Sequence, residues 1–160
     1  MESYDVVIVG LGPTGGTLAN LLALNGLSVL ILEREKSIYN LPRAVHFDDE
    51  VMRVFESIGI SKSLSRNIIM NKGTKFVNAQ NEVVLDWPRP RSITDNGWYP
   101  SYRFHQPNLE RLLRRRLNDF KKVSIRRSTQ VVKIMKVETV LLVLLVMLPF
   151  STQVHRLLRR

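Results

Sequence analysis

A glycine-rich segment near the start of the chain, Gly10-Leu-Gly-Pro-Thr-Gly15, restricts the possible folds more than any other feature. It directly follows Asp5 and the apolar run over residues 6–9, a pattern typical of a buried parallel strand. Residues 18–24 then favour a helix that ends at Asn25-Gly26. Residues 27–32 form a second apolar run, so the sequence predicts a strand, a helix and a second strand in close succession.

The three glycines suit the binding of a dinucleotide at this corner. Gly10 permits a tight turn out of the strand, Gly12 lets the backbone approach a diphosphate, and Gly15 lets the helix lie against the sheet. The helix N-terminus adds unpaired N–H groups and about half a positive charge. Glu33 follows the second strand, 18 residues after Gly15, where a carboxylate can accept hydrogen bonds from both ribose hydroxyls. These residues predict a site for the ADP half of FAD or NAD, and Glu33 argues against the 2′-phosphate of NADP.

The rest of the hydrophobic pattern predicts further helices and strands. Helices are predicted over residues 48–58 and from Pro107 to about Phe120, each with an apolar stripe. Strands are predicted at residues 75–77, 82–85, 123–125 and 131–134. Residues 87–90 and 96–97 are predicted to be irregular because they contain proline or glycine.

Composition excludes several classes of protein. The chain has no cysteine, so it has neither disulfides nor thiolate metal ligands. No other spacing typical of metal ligands is found, and we predict no metal site. Met1 is followed by Glu2 and Asp5 rather than by a basic segment. We therefore predict no secretory signal and a cytoplasmic location.

The net charge of +10 is concentrated in one part of the chain. Residues 1–110 contain 11 basic and 12 acidic side chains, whereas residues 111–160 contain 13 and 2. Four arginines are predicted to form the solvated face of the helix after Pro107: Arg111, Arg114, Arg115 and Arg116. Because basic and aromatic residues are not interleaved, we predict no nucleic-acid partner.

Four segments in this order resemble the class A FAD-dependent aromatic monooxygenases, most closely the 3-(3-hydroxyphenyl)propionate hydroxylase type. They are Gly10–Gly15, Leu32–Arg34, Pro42–Glu50 and Phe104–Glu110. The resemblance extends from about residue 4 to about residue 134. It implies an α/β fold: an incomplete Rossmann-like FAD-binding unit of the glutathione-reductase type, with the first β-strands of a substrate domain. Residues 1–136 would form the N-terminal portion of the FAD-binding monooxygenase domain, with residues 68–100 contributing to the substrate region.

The resemblance also implies roles for individual residues. The FAD pyrophosphate would be surrounded by Gly10, Gly12, Pro13, Thr14 and Gly15. Glu33 would hold the adenosine ribose, Arg34 would lie beside the adenine, Arg43 would reach back to the cofactor, and Gln106 would lie near the ribityl chain and pyrophosphate. From local sequence alone, Arg43 could also be an exposed loop arginine, and Gln106 could equally cap the following helix. His46 and His105 are interpreted as structural, and no catalytic residue is assigned.

The function implied by the resemblance is hydroxylation of a phenolic aromatic acid with NADH or NADPH and O2. The flavin supplies the redox chemistry, and the protein positions it and excludes water. Two alternatives remain open: an NAD-dependent oxidoreductase, and a truncated FAD-binding fragment without catalytic activity. The oligomeric state is not predicted.

The family-like pattern ends near Lys136. Two motifs expected further on in such proteins, an Asp-Gly and a Gly-Asp segment, do not follow, and residues 137–160 form an atypical apolar and basic tail. Its eleven uncharged residues, 140–150, are fewer than the roughly 20 that span a bilayer. They are interpreted as a buried helix or strand, as an interfacial anchor, or as sequence outside the family's reading frame. The abrupt change in composition favours the last interpretation.

Overall fold

The computed structural model describes residues 2–137 and 140–147. The strand–helix–strand unit is present as β1 (Val6–Val9), α1 (Pro13–Leu24) and β2 (Val29–Leu32). The two strands pair in parallel, as expected for neighbouring strands joined by a crossover helix. The prediction for the first 32 residues is therefore confirmed.

A third parallel strand, β8 (Val123–Arg126), adds to the other side of β2. Val29 in the central strand lies opposite Val6 of β1 and opposite Val123 of β8. All four residues of β2 are buried, which explains why this strand is a continuous apolar run rather than an alternating one. The chain thus returns to the first sheet after about ninety intervening residues.

Helix α4 (Gln106–Leu117) packs against α1. One small residue and one polar residue of α1 contribute to this contact. A side chain at Gly16 would lie 3.4 Å from the Leu113 side chain, and the Asn20 amide donates a hydrogen bond to the Leu113 carbonyl at 3.2 Å. The close approach of the two helices places one face of α4 beside the glycine turn.

A second, antiparallel sheet contains the strands β3 (His46–Phe47), β4 (Ile68–Met70) and β7 (Tyr102–Phe104), in the order β3-β7-β4. None of these strands was predicted. Each has only two or three residues, which is too short to show the alternation that identifies a strand in sequence. Pairing with distant parts of the chain, rather than local preference, determines them.

Two further helices, α2 (Asp49–Ser57) and α3 (Ser61–Leu64), cover this second sheet. The Asp48 carboxylate caps α2 by accepting from the Val51 N–H at 3.0 Å. The core between α2 and the sheet combines aliphatic side chains with packed aromatic rings, and the Phe47 ring lies 5.3 Å from that of Phe55. The helix predicted over residues 48–58 is confirmed.

The strands predicted at residues 75–77 and 82–85 are confirmed as β5 (Gly73–Val77) and β6 (Val83–Pro88), which pair as an antiparallel hairpin. The Asn78 side chain shapes the turn by accepting from the Gln80 and Glu82 N–H groups, both at 2.9 Å. The prediction that residues 87–90 are irregular is wrong for Trp87 and Pro88, which lie in β6. Pro88 is the last residue of β6 in a two-stranded sheet, where a missing N–H does not interrupt the ladder.

The last described elements are β9 (Thr129–Val137) and β10 (Val140–Met147), which pair in antiparallel. Of the interpretations for residues 140–150, a helix is wrong for residues 140–147, which are extended. Residues 148–160 lie outside the described part of the chain, so the interpretation of the remaining tail stays a prediction. Among the described residues, no helix is long and apolar enough to cross a membrane.

Candidate dinucleotide site

The glycine turn has the geometry that its sequence predicts. Gly10 has a φ of +101°, a conformation that favours glycine. A Cβ at Gly15 would lie 2.1 Å from the Gly10 carbonyl oxygen, so only glycine allows α1 to begin so close to β1. A Cβ at Gly12, by contrast, would meet no atom within 4 Å. The space beside Gly12 is therefore open to a ligand.

The N-terminus of α1 is available to an anion. Gly12 is the N-cap residue, Pro13 and Thr14 form the first turn, and no side chain in the described part of the chain caps the helix. The first turn also contains no acidic residue. The helix dipole and the free N–H groups thus favour a phosphate at this end.

Glu33 lies directly beside the glycine turn. Its Oε2 accepts from the Leu11 N–H at 2.7 Å, and its Oε1 accepts from the Glu35 N–H at 2.8 Å. An ionised carboxylate has about four lone-pair sites, so two remain available after these bonds. A ribose with two vicinal hydroxyls needs two acceptors, which is the number that Glu33 retains.

These groups line one cleft of about 430 Å³, a size typical of small-molecule sites. The cleft lies between the C-terminal ends of β1 and β2, the side of α4 and the start of β9. Five of the predicted site residues line it: Gly10, Gly12, Glu33, Arg34 and Arg43. A ligand is expected at the carboxyl ends of parallel strands in such a sheet.

The two predicted arginines lie at the exposed side of the cleft. Arg34 forms an ion pair with Glu35 at 3.1 Å, and its side chain remains 71% exposed. The guanidinium of Arg43 lies 5.4 Å from the centre of the Tyr39 ring. Both side chains can therefore be drawn towards an anionic ligand without breaking a buried contact, and their roles in cofactor binding stay predictions.

Gln106 is buried behind the cleft rather than among the residues that line it. Its Oε1 accepts from the Arg43 N–H at 2.9 Å and from the Ala44 N–H at 2.8 Å. The alternative role as a helix cap is wrong, because the N-cap of α4 is His105 and Gln106 is already helical. In the structure Gln106 holds the segment that carries Arg43, and its direct contact with a cofactor stays a prediction.

Two residues of this site were missed by the sequence analysis. Glu110 and Arg114 form an ion pair at 3.1 Å with side chains only 5% and 11% exposed, and both line the cleft. Placing Arg114 on a solvated face was therefore wrong, whereas Arg111 and Arg115 are indeed exposed. The i, i+4 spacing of an acid and a base between buried leucines is a signal that could have indicated the pair.

Arg116 was also wrongly placed on the solvated face. It is half-buried, and its Nε donates to the Ile58 carbonyl at 2.9 Å. Its guanidinium lies 4.7 Å from the centre of the Phe120 ring. Arg116 therefore joins α4 to the end of α2 and contributes packing rather than free positive charge.

His46 and His105 do not lie in the cleft. The His46 Nε2 is hydrogen-bonded to the Ser101 hydroxyl at 2.7 Å, and His105 is the exposed N-cap residue of α4. Across residues 2–137 and 140–147, no group of three or more histidine, aspartate and glutamate side chains is arranged to hold a metal ion.

The fold and the cleft together have the features of an adenine-dinucleotide-binding unit. The chain belongs to the FAD-binding domain family, whose model matches residues 3–140. This match confirms the predicted fold class and FAD as the cofactor.

Relatives with curated descriptions agree with this family. The chain is 41% identical over 132 residues to a probable NADH-specific resorcinol 4-hydroxylase from Rhodococcus jostii (strain RHA1), with 81% of this chain and 24% of that protein covered. It is 42% identical over 128 residues to 3-(3-hydroxy-phenyl)propionate/3-hydroxycinnamic acid hydroxylase 2 from Burkholderia vietnamiensis (strain G4 / LMG 22486), with 80% and 23% covered. The chain thus spans about a quarter of the length of these relatives.

Solved structures share the fold at low sequence identity. The p-nitrophenol 4-monooxygenase PnpA from Pseudomonas putida DLL-E4 superposes with a TM-score of 0.78 at 20% identity, covering 88% of this chain and 35% of that one. The flavin-dependent monooxygenase PieE, solved with FAD and substrate, gives a TM-score of 0.76 at 20% identity, covering 89% and 26%. These likenesses establish the fold.

Proposed function

We propose that the chain binds the ADP portion of FAD in the cleft, as the N-terminal part of a flavin-dependent monooxygenase that hydroxylates a phenolic aromatic acid. One observation carries this proposal. Gly12, beside which there is open space, and Glu33, which keeps two acceptor sites, line the same cleft at a helix N-terminus that no side chain among the described residues caps. A diphosphate joined to a ribose requires this combination of donors and acceptors.

The residues that would hold the cofactor have separate tasks. The backbone from Gly10 to Gly15 and the N-terminus of α1 would bind the pyrophosphate, and Glu33 would bind the ribose hydroxyls. Arg34 would lie beside the adenine, and Arg43 would reach back to the cofactor and neutralise phosphate charge. Gln106 would keep the Arg43 segment in place through its two hydrogen bonds to backbone N–H groups. When bound, the flavin would supply the hydride and oxygen chemistry.

The electron donor and the substrate class are inferred from the relatives. One relative is described as NADH-specific and acts on resorcinol, and another acts on 3-(3-hydroxy-phenyl)propionate. Both named substrates are single aromatic rings with a hydroxyl group. We therefore propose NADH as the donor and a small hydroxylated aromatic as the substrate of the whole protein.

A second candidate function is FAD binding without hydroxylation by this chain alone. It is favoured by the coverage, because the matched segment is about a quarter of the relatives' length. The apolar side chains of the β5–β6 hairpin are also at least half exposed, including Phe76, Val84 and Trp87. Such a surface in the substrate region is typical of a segment that needs further packing partners.

Titration of the purified full chain with FAD tests the first part of the proposal. We expect quenching of flavin fluorescence that ADP reverses, because both ligands would occupy the same cleft. If neither FAD, NAD nor ADP binds, the proposal is refuted. Oxidation of NADH that depends on an added phenol would then distinguish the hydroxylase from the non-catalytic candidate.

Three other expectations stay predictions. They are the cytoplasmic location, the lack of a nucleic-acid partner, and the origin of residues 137–160 in a different reading frame. Translating the encoding DNA beyond codon 136 in all frames tests the last one. We expect another frame to continue with Asp-Gly and Gly-Asp motifs, and a frame-by-frame search that finds neither would contradict it.

A further inference from the structure

The glycine turn is held at Leu11 by two charged side chains. The Leu11 N–H donates to the Glu33 carboxylate at 2.7 Å, and the Leu11 carbonyl accepts from Nη2 of Arg114 at 3.0 Å. Leu11 itself is only 1% exposed, so water does not compete for these bonds. The backbone at the centre of the turn is thus fixed by one acidic and one basic residue.

Fixing the Leu11 carbonyl also fixes the Gly12 N–H. The two groups belong to one peptide unit, and in a trans peptide they point in opposite directions. Among the described residues, none accepts a hydrogen bond from the Gly12 N–H. The direction of this free donor beside the cleft is therefore set by the residue that holds the carbonyl, which is Arg114.

Arg114 is in turn part of a continuous chain of hydrogen bonds. Its guanidinium is paired with Oε2 of Glu110, and Oε1 of Glu110 accepts from the Gln106 amide at 2.9 Å. Gln106 accepts from the backbone N–H groups of Arg43 and Ala44. Buried charge pairs of this kind require close geometry, because each ion has lost most of its hydration. These hydrogen bonds connect the glycine turn to the Arg43 segment, and both line the cleft.

We propose that Glu110 and Arg114 are positioning residues of the cofactor site, which orient the Leu11–Gly12 peptide so that its N–H can bind a phosphate. Glu110 fixes the guanidinium, and the guanidinium fixes the Leu11 carbonyl. The pair acts through the backbone and requires no bond of its own to the ligand. This inference rests on the proposed binding of FAD and adds two residues that the glycine-rich motif does not include.

A comparison of two ligands separates this role from a merely structural one. ADP and adenosine share the base and the ribose, and only ADP uses the phosphate donors of the turn. In the full chain, we expect Arg114→Met to lower ADP affinity roughly tenfold to a hundredfold, as for loss of a hydrogen bond to a charged group. Adenosine affinity, measured by competition against FAD, should stay within about twofold of the wild type, since Glu33 is retained.

Arg115→Met is the matched control. It removes the same charge from the same helix at an exposed position, so it accounts for any long-range effect of charge on phosphate binding. We expect the ratio of ADP to adenosine affinity to stay at the wild-type value in this variant. Arg114→Lys keeps a positive donor at the site and should recover part of the ratio that Arg114→Met loses.

A second variant covers the case in which Arg114→Met does not fold. Removing the guanidinium leaves Glu110 buried without a cation, which is strongly destabilising. The double variant E110Q/R114M removes both charges and keeps an acceptor for the Gln106 amide. We expect it to fold and to show the same loss of ADP affinity relative to adenosine.

The outcomes are distinct. A lowered ratio in the Arg114 variants and an unchanged ratio in Arg115→Met support the positioning role. A wild-type ratio in both Arg114→Met and E110Q/R114M overturns it and leaves the pair a structural one, while the proposed function stands. A wild-type chain that binds neither ADP nor FAD refutes the proposed function and the positioning role together.

Discussion

Replacing Glu33 with alanine removes an acceptor that serves both the protein and the proposed cofactor. In the structure the carboxylate accepts from two backbone N–H groups, those of Leu11 and Glu35. Two of its lone-pair sites remain for the ribose hydroxyls. The substitution should therefore affect two separable quantities, the free energy of unfolding and the affinity for FAD.

The expected magnitudes follow from which partners are left without an acceptor. The Leu11 N–H is buried and loses a charge-assisted bond, which lowers the free energy of unfolding by about 1.5–3 kcal/mol. The Glu35 N–H is in a partly exposed segment, where water can replace the carboxylate. Loss of the ribose contacts costs a similar amount in binding, so FAD affinity should fall roughly tenfold to a hundredfold.

Urea unfolding and a fluorescence titration with FAD measure the two effects. A sharper assay compares ADP with its 2′,3′-dideoxy analogue, because only the former has ribose hydroxyls. The wild type should prefer ADP, and Glu33→Ala should bind both equally. Glu50→Gln, at an exposed position on α2, controls for the change in charge. A Glu33→Ala chain that keeps wild-type FAD affinity, or that still prefers ADP over the dideoxy analogue, would refute the ribose assignment.

Three further predictions concern other parts of the structure. Gly12→Ala should leave the melting temperature nearly unchanged but weaken FAD binding. Gly15→Ala should unfold the chain at ambient temperature, because the new Cβ would lie 2.1 Å from a carbonyl oxygen. Equal melting temperatures for the two variants would contradict this prediction. A hydrogen bond from the Thr94 hydroxyl lowers the pKa of Asp49. The contribution of this bond to the free energy of unfolding is therefore complete above the unfolded pKa of about 3.9, and it is lost as the pH falls through the lower folded pKa. Thr94→Val should accordingly be less stable than wild type in urea at pH 7, and this difference should shrink as the pH falls below about 3.9; a difference that grows in acid would exclude this linkage. Gln106→Leu leaves two backbone N–H groups without an acceptor and should lower stability by about 1–3 kcal/mol, which urea unfolding measures; unchanged stability would show that these bonds contribute nothing.

Much of the fold could be predicted because its signals are local. The glycines of the turn are required by a positive φ at Gly10 and by the close approach of Gly15 to β1, and each requirement is visible within six residues of sequence. The longer helices showed their apolar stripes in the same way. The short strands of the second sheet had no such signal, because strands of two or three residues are defined by their partners.

The candidate site was predicted in part. Glu33 could be located because the distance between the glycine turn and the end of the next strand is set by one helix and two strands. Arg114 was misplaced because its surroundings depend on the docking of α4 against α1, which brings it to Leu11 across 103 positions of the chain. From the sequence of the helix alone, several arginines are predicted to lie on a solvated face.

The sequence alone therefore determined the strand–helix–strand unit, the glycine turn and the acid beside it, since these depend on backbone conformations that only particular residues allow. Tertiary structure decided which polar side chains of α4 are buried. Arg114, predicted on a solvated face, is largely buried beside Glu110 and donates to the Leu11 carbonyl in the glycine turn. The physical reason is that burial and pairing are properties of the packed molecule. The sequence around a charged residue indicates which face of a helix its side chain lies on, but not what packs against that face.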